Sequence, residues 1–386
     1  MADLLRVLAD DGRLVRRRPP SDAADRGDFS MNYIAPPRSD GTNHRGRQKQ
    51  PWPKDRLFRI LSVDGGGIRG IFPAAYLAEI ENRFLNGKSI ASHFDMIAGT
   101  STGGIVALGL AHGMTAKQVL EIYTDRGEAI FPSPKGLGGL VKKLRFLTKP
   151  KHDQRVLKDE LLRIFGDKVL DDAATRLVIP TFEAVHGEPY IYKTPHHPDY
   201  QLDRHKTFVD AALHTTAAPA YFAAVDNNGH IMIDGGVWAN NPVMTALVDV
   251  IACYDLPLEN IRILSLGTGE EVLNLKQAQL TGGINGWGIS IGVPPLYKMA
   301  SRGQSKNAIG QAGLLIQRRN IIRIDVDERD QQIALDDVAQ SKKELPRLAR
   351  NAAESTGQLI DTMFLQDEVD RFVPSPLRSS GLHRDA

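Results

Sequence analysis

The sequence is short of several things, and each shortage closes off a class of protein. It has one cysteine, Cys253, in 386 residues. No disulfide framework and no thiolate metal cluster can be built from that within the chain, so no metal is expected, and a reducing, cytoplasmic setting is the natural reading. An excess of charge of one sign is also missing. Lys and Arg number 48 against 46 Asp and Glu, a formal net charge of +2. Bulk charge therefore points to no nucleic acid polymer, and electrostatic recognition has to be local. Long apolar runs are absent. The most apolar stretch, 96–114, is interrupted by Gly, Ser and Thr and preceded by Asp95. It suits a buried strand–turn–helix better than a membrane span. The opening residues Met1–Arg6 contain an acid and no sustained apolar run, so they do not read as a secretory signal. The second-position glycine that myristoylation needs is not there. No G-x-x-x-x-G-K-[ST] occurs, which excludes a P-loop.

What is present is an ordinary globular composition, 42% apolar and 24% charged, on a chain long enough for one large α/β domain with extensions. Residues 1–55 read as a flexible basic, Pro-rich arm: Arg16-Arg17-Arg18-Pro19-Pro20, Pro36-Pro37, Pro51 and Pro53 carry little periodic apolar content. Met31 offers a second start position. Residues 56–330 read as the catalytic domain, 331–373 as a helical extension packed on it, and 374–386 as a disordered tail.

From Leu57 the texture changes to strands alternating with helices. A strand over 57–63 ends at Asp64, and a helix covers about 71–85 with its polar residues on one face. A strand over 94–98 precedes an apolar helix over 102–111. Thr115 with Gln118 forms a capping-box signature for a helix to about 129. Further strands fall at 177–185, 190–193, 231–233, 261–266 and 320–324, with helices from Pro242 and over about 339–363. Alternation of this kind predicts an α/β fold with a mostly parallel central sheet covered on both faces.

Three stretches carry the chemistry. Gly99-Thr100-Ser101-Thr102-Gly103 is a G-x-S-x-G between an apolar strand and an apolar helix. That is the context of a nucleophile elbow, in which a sharp turn exposes the serine and the glycines avoid clashes. Alone, the pentapeptide is also a common packing turn. Gly65-Gly66-Gly67 follows a strand and opens a helix, so its N–H groups form an anion cradle suited to a tetrahedral oxyanion. Ile231-Met232-Ile233-Asp234-Gly235-Gly236 puts a carboxylate at a strand end. Burial would raise its pKa and make it a better base for a serine hydroxyl. An isolated Asp-Gly-Gly is more often a turn. Each stretch is a strand end followed by glycines, so in a parallel sheet all three would share one edge, where ligands bind.

The first loop has a rival reading, because Gly65, Gly67 and Gly70 also spell G-x-G-x-x-G, the dinucleotide fingerprint of an oxidoreductase. Asp64 would then sit beside the pyrophosphate, and the required downstream acid is misplaced: Asp95 lies too far on and at the start of its strand. A non-catalytic lipid-binding scaffold is the other alternative.

Taken in order, Asp64-Gly65-Gly66-Gly67-Ile68-Arg69-Gly70, Gly99 to Gly103, and Asp234-Gly235-Gly236 resemble the signature of the patatin-like phospholipases. The segments Ala217-Ala218-Pro219-Ala220-Tyr221-Phe222 and Asn240-Asn241-Pro242 agree with it, and the resemblance covers about 58–269 and is expected to run on to Asp325. It implies a three-layer α/β/α fold and a Ser–Asp dyad without histidine, cofactor or metal. By that resemblance Ser101 is the nucleophile and Asp234 the base. Gly66 and Gly67 are the oxyanion donors in the loop Gly65–Gly70, and Arg69 steadies it. His93, His112, His214 and His230 lie near the motifs, but no spacing singles one out as a third catalytic member.

The implied substrates are membrane phospholipids, met peripherally at the inner membrane. Bacterial relatives resembling this chain include antiphage effectors switched on by a cyclic dinucleotide. Ser301-Arg302, Lys306 and Arg318-Arg319 are candidate phosphate contacts for such an activator, and a solvated basic face is the plainer reading. Lysines and arginines over 131–168, interleaved with Leu137, Leu140, Val141, Leu144 and Leu147, read as a basic amphipathic segment that docks on lipid or lids the site. Self-association stays open.

Overall fold

Strand β2 (Phe58–Val63) shows how the centre is built. All six of its residues are buried, yet the alternation survives. Phe58 and Ile60 enter one apolar cluster, and Leu61 and Val63 enter another on the opposite face. Strand β9 (Ile261–Leu266) divides in the same way, Ile261 and Ile263 from Leu264 and Leu266. A strand covered on both faces has no solvent-facing side, which is why apolar residues point to both faces of these segments. The structure is a computed structural model, and it describes residues 34–36, 47–132, 150–269, 295–326 and 333–377.

The other strands are β1 (Gln50–Pro51), β3 (Met96–Gly99), β4 (Arg176–Glu183), β5 (Glu188–Lys193), β6 (Val225–Asn227), β7 (His230–Asp234), β8 (Tyr254–Asp255) and β10 (Ile321–Ile324). Eight of them form one sheet in the order β10-β9-β2-β3-β4-β7-β6, with β5 on the remaining side of β4. From β10 to β4 every pairing is parallel. The pairs β4–β5, β4–β7 and β7–β6 are antiparallel. One face carries α1 (Ile71–Phe84), α2 (Thr102–Ala111), α3 (Ala116–Ile130), α4 (Gln154–Phe165), α5 (Phe208–Thr215) and, further on, α9 (Val338–Ile360). The short α6 (Gly236–Ala239) follows β7; α7 (Val243–Cys253) and α8 (Pro295–Ile316) cover the other face. This is the expected three-layer α/β/α arrangement. No helix among the described residues is long and apolar enough to cross a membrane.

Several expectations shift. The capping box at Thr115 forms as read, and the helix it opens ends at Ile130. The strand expected from Phe94 begins at Met96, although Asp95 already donates its N–H to the Arg59 carbonyl at 2.9 Å. The expected arm is folded from Arg47 on. Gln50–Pro51 pairs with β8, and Trp52 is buried against Phe58 and Tyr254 with ring centroids 4.6 and 5.3 Å away. A single tryptophan supplies enough apolar area to fasten a Pro-rich segment that shows no periodicity. The last described residues continue past Pro374, with the Ser375 N–H on the Pro195 carbonyl. The Leu137–Leu147 segment lies outside the described residues. Of the expected basic stretch, α4 is described, and it buries Leu157, Leu161 and Phe165 in the core.

Candidate active site

Strand β3 delivers the serine. The chain leaves Gly99 in a turn so tight that a Cβ on Gly99 would lie 2.1 Å from the Gly103 carbonyl oxygen. A Cβ on Gly103 would lie 2.3 Å from that of Val63. Neither contact can relax, because both involve backbone; this is the physical content of the two glycines in G-x-S-x-G. Ser101 itself sits at φ 54°, ψ −124°, a strained conformation that costs about 1–3 kcal/mol and is held by its surroundings. Thr215 at the end of α5 does the holding. Its Oγ1 accepts the Ser101 N–H at 2.9 Å and donates to the Pro180 carbonyl at 2.6 Å.

Asp234 arrives from the other direction. Strand β4 pairs with β3 through residues 176–178 and with β7 through 181–183, while β5 occupies the opposite edge over the whole span. Strands β3 and β7 therefore run along the same edge of β4 in opposite senses, and their C-terminal ends meet head-on. The shared edge of parallel strands expected from sequence holds for Asp64 and Gly99 but not for Asp234; the antiparallel β7 brings it in instead. The result is a hydrogen bond of 2.5 Å from Ser101 Oγ to Asp234 Oδ2. Asp234 Oδ1 accepts the Gly236 N–H at 2.6 Å. Burial pushes the Asp234 pKa up to about 7 against the opposing pull of those two donors. A carboxylate tuned this way is a competent base near neutral pH.

The glycine loop lies beside the pair, and Asp64–Gly67 lines the same cavity as Ser101 and Asp234. Gly65 is not a free donor: its N–H goes to the Asn240 carbonyl at 3.0 Å. The Gly66 and Gly67 N–H groups have no hydrogen-bond partner among the described residues, as an anion cradle requires. Gly67 adopts φ +58°, and a Cβ there would meet the Leu335 carbonyl oxygen at 2.2 Å. That same carbonyl accepts the Ile68 N–H at 2.8 Å. Arg69 Nε donates to the Gly66 carbonyl at 3.3 Å, in keeping with a steadying role. Gly70 packs against Thr102 and Tyr123. Gly235 packs against the Pro180 carbonyl, and Gly236 caps the base.

The four histidines stay out of the site. His93 is bonded to the Asp367 carbonyl, His112 packs on Phe165 and Phe208, and His214 is bonded to Tyr192 OH. His230 lies beside Tyr190 and His186. Among the described residues none bonds Ser101 or Asp234. Sequence reasoning missed Thr215, Thr268, Arg323 and Leu335, which shape the site from far along the chain and carry no motif of their own. Of the residues marked as phosphate contacts, Ser301 and Arg302 line the cavity, while Arg318 Nη1 donates to the Ile321 carbonyl. Much of the cavity wall is apolar, with Ile105, Ile122, Ile130, Phe131, Leu161 and Phe222 in it. That lining suits a hydrocarbon chain.

A strained serine on a strand–helix turn, a buried carboxylate in contact with it and two spare backbone donors define a class: an α/β/α protein with a serine–carboxylate pair beside a backbone anion cradle. Comparison with known proteins narrows the class. A family model described as Patatin-like phospholipase matches residues 61–247. The chain is 36% identical over 241 residues to the "cGAMP-activated phospholipase" of Vibrio cholerae, covering 58% of this chain and 68% of that one. To the protein of the same name in Escherichia coli it is 36% identical over 249 residues, 60% and 69% of the two chains. To "Patatin-like protein 2" of Oryza sativa subsp. indica it is 30% identical over 317 residues, 71% and 78%. The chain belongs to the patatin-like phospholipase family.

Proposed function

We propose that this protein is a phospholipase A-type lipid acyl hydrolase in which Ser101 is the nucleophile and Asp234 the general base. The 2.5 Å hydrogen bond between them carries the reading. Asp234 takes the Ser101 proton as the oxygen attacks the acyl carbonyl of a phospholipid. The tetrahedral oxyanion lies on the Gly66 and Gly67 N–H groups. Collapse expels the lysophospholipid alkoxide, which takes the proton back from Asp234 and leaves an acyl-serine. Asp234 then deprotonates a water, and the second tetrahedral species releases the fatty acid and regenerates Ser101. The apolar lining around Ile105, Ile122 and Leu161 holds the acyl chain.

The catalytic unit in this reading is residues 56–330 with the 331–373 extension packed on it, and substrate is reached by peripheral contact with the inner membrane. Activation by a cyclic dinucleotide follows from the names of the bacterial relatives and would place the enzyme in antiphage defence.

A fluorogenic phospholipid assay tests the whole reading, run with and without a panel of cyclic dinucleotides, beside labelling by a fluorophosphonate probe. Wild type is expected to label and hydrolyse. Ser101→Ala should do neither, and Asp234→Asn should lose about 10²–10⁴-fold in rate, both with normal folding. Labelling that survives in Ser101→Ala sinks the assignment, and activity indifferent to every dinucleotide removes the activator.

A further inference from the structure

The loop that carries the oxyanion donors begins at a carboxylate. Asp64 is 2% exposed and immediately precedes Gly65. A buried negative charge next to an oxyanion cradle opposes the charge the cradle must stabilise. Arg323 answers this, and it lies beyond the 61–247 segment that matches the family model. Arg323 stands on β10, in register with Ser265 on β9, which is in register with Ser62 on β2. Two small buried serines leave room for an arginine to cross the end of the sheet. A reach over two strand spacings, about 10 Å, needs the longest cationic side chain.

The guanidinium binds three oxygens. Nη2 donates to Asp64 Oδ2 at 2.7 Å and to Asp325 Oδ2 at 2.6 Å, and Nη1 donates to Ser265 Oγ at 2.8 Å. The two carboxylates hold Arg323 firmly protonated despite its burial. Asp325 in turn grips the loop after β9: its Oδ1 accepts the Gly269 N–H at 2.9 Å, and a Cβ on Gly267 would strike its carboxyl carbon at 2.1 Å. Between those glycines, Thr268 donates to the Gly65 carbonyl at 2.7 Å and packs directly on Gly66. Arg323 thus fixes the donor loop twice, from its Asp64 flank and from the Thr268 wall behind it.

We infer that Arg323 is a positioning residue for the oxyanion site. It neutralises Asp64 and, through Asp325 and Thr268, aims the Gly66 and Gly67 N–H groups. The inference rests on the hydrolase reading above, and Arg323 acts in it through the Asp64 and Thr268 contacts.

The test uses the full chain with a soluble ester and a trifluoromethyl ketone lipid analogue, which forms a hemiketal oxyanion on serine. Arg323→Gln is expected to lower kcat about 10–100-fold with KM within about twofold, and to weaken the ketone in the same proportion. An inhibition constant does not depend on how much enzyme is folded, so a purely structural role would leave it unmoved. Asp64→Asn/Arg323→Gln removes the buried charge and leaves only Asp325, which is part-exposed and keeps the Gly269 and Val326 N–H groups, so it should fold where the single variant does not. It should recover part of the lost kcat while staying below wild type. Wild-type kcat or wild-type ketone affinity in either folded variant overturns the inference. Wild type and Ser101→Ala run alongside: no activity in wild type condemns the hydrolase reading, whereas activity indifferent to Arg323 condemns only this one.

Discussion

In the proposed mechanism Asp234 trades stability for chemistry. Its folded pKa of about 7 stands above the ordinary 3.8. The native state therefore binds its proton more tightly than the unfolded chain does. The stabilisation is full below pH 3.8 and is lost as pH rises through 7. Catalysis needs the opposite state, so kcat/KM should climb tenfold per pH unit below about 7 and level off above it. Asp234→Asn keeps the shape without the charge. It is expected to melt at a higher temperature than wild type at pH 8, by the equivalent of a few kcal/mol, and at nearly the same temperature at pH 3. Thermal melts at the two pH values check this, and a gap independent of pH would contradict a buried, shifted carboxylate.

At the scale of elements, the site depends on joints rather than on any single strand. The most exacting joint is Thr215, which is fully buried. It ties the end of α5 to the β3–α2 turn and to β4 through its two hydrogen bonds. Thr215→Val preserves volume but strands the Ser101 N–H and the Pro180 carbonyl, each costing about 1–3 kcal/mol. It also releases the strained Ser101 backbone. Lower stability in denaturant and at least about a tenfold loss of kcat are expected, with Thr215→Ser close to wild type because it keeps both bonds. Equal losses in the Val and Ser variants would mean that packing, and not the hydroxyl, matters there. Nothing in the sequence marks Thr215 among neighbouring threonines. Its role exists only because the fold brings the end of α5 against the β3–α2 turn.

For the molecule as a whole, the far end of the sheet is built separately from the site. Trp52 packs at the start of β2, and Asp64 follows its end, six residues or about 20 Å away. Trp52→Ala empties a cluster shared with Phe58 and Tyr254 and should cost about 3–5 kcal/mol. At temperatures well below melting it should leave kcat unchanged. Denaturant titration beside the ester assay checks both halves. A kcat loss in the folded variant would show that the two ends are coupled. The same cluster explains why residues ahead of the boundary expected at residue 56 pack with the domain: burial of one indole is a long-range event with no local periodicity to announce it.

By itself the sequence determined the layers and the reactive groups. Strands apolar on both faces have to be covered twice, and three glycine-flanked strand ends limit which hydroxyl, carboxylate and amides can be presented. The tertiary structure alone decided how they meet. A local pattern specifies where a strand ends but not which way it runs beside its neighbour. The reversed direction of β7 is what sets Asp234 against Ser101. The charge on Asp64 and the shape of its loop were likewise settled by Arg323 and Leu335, which reach the site through space because the fold closes over it.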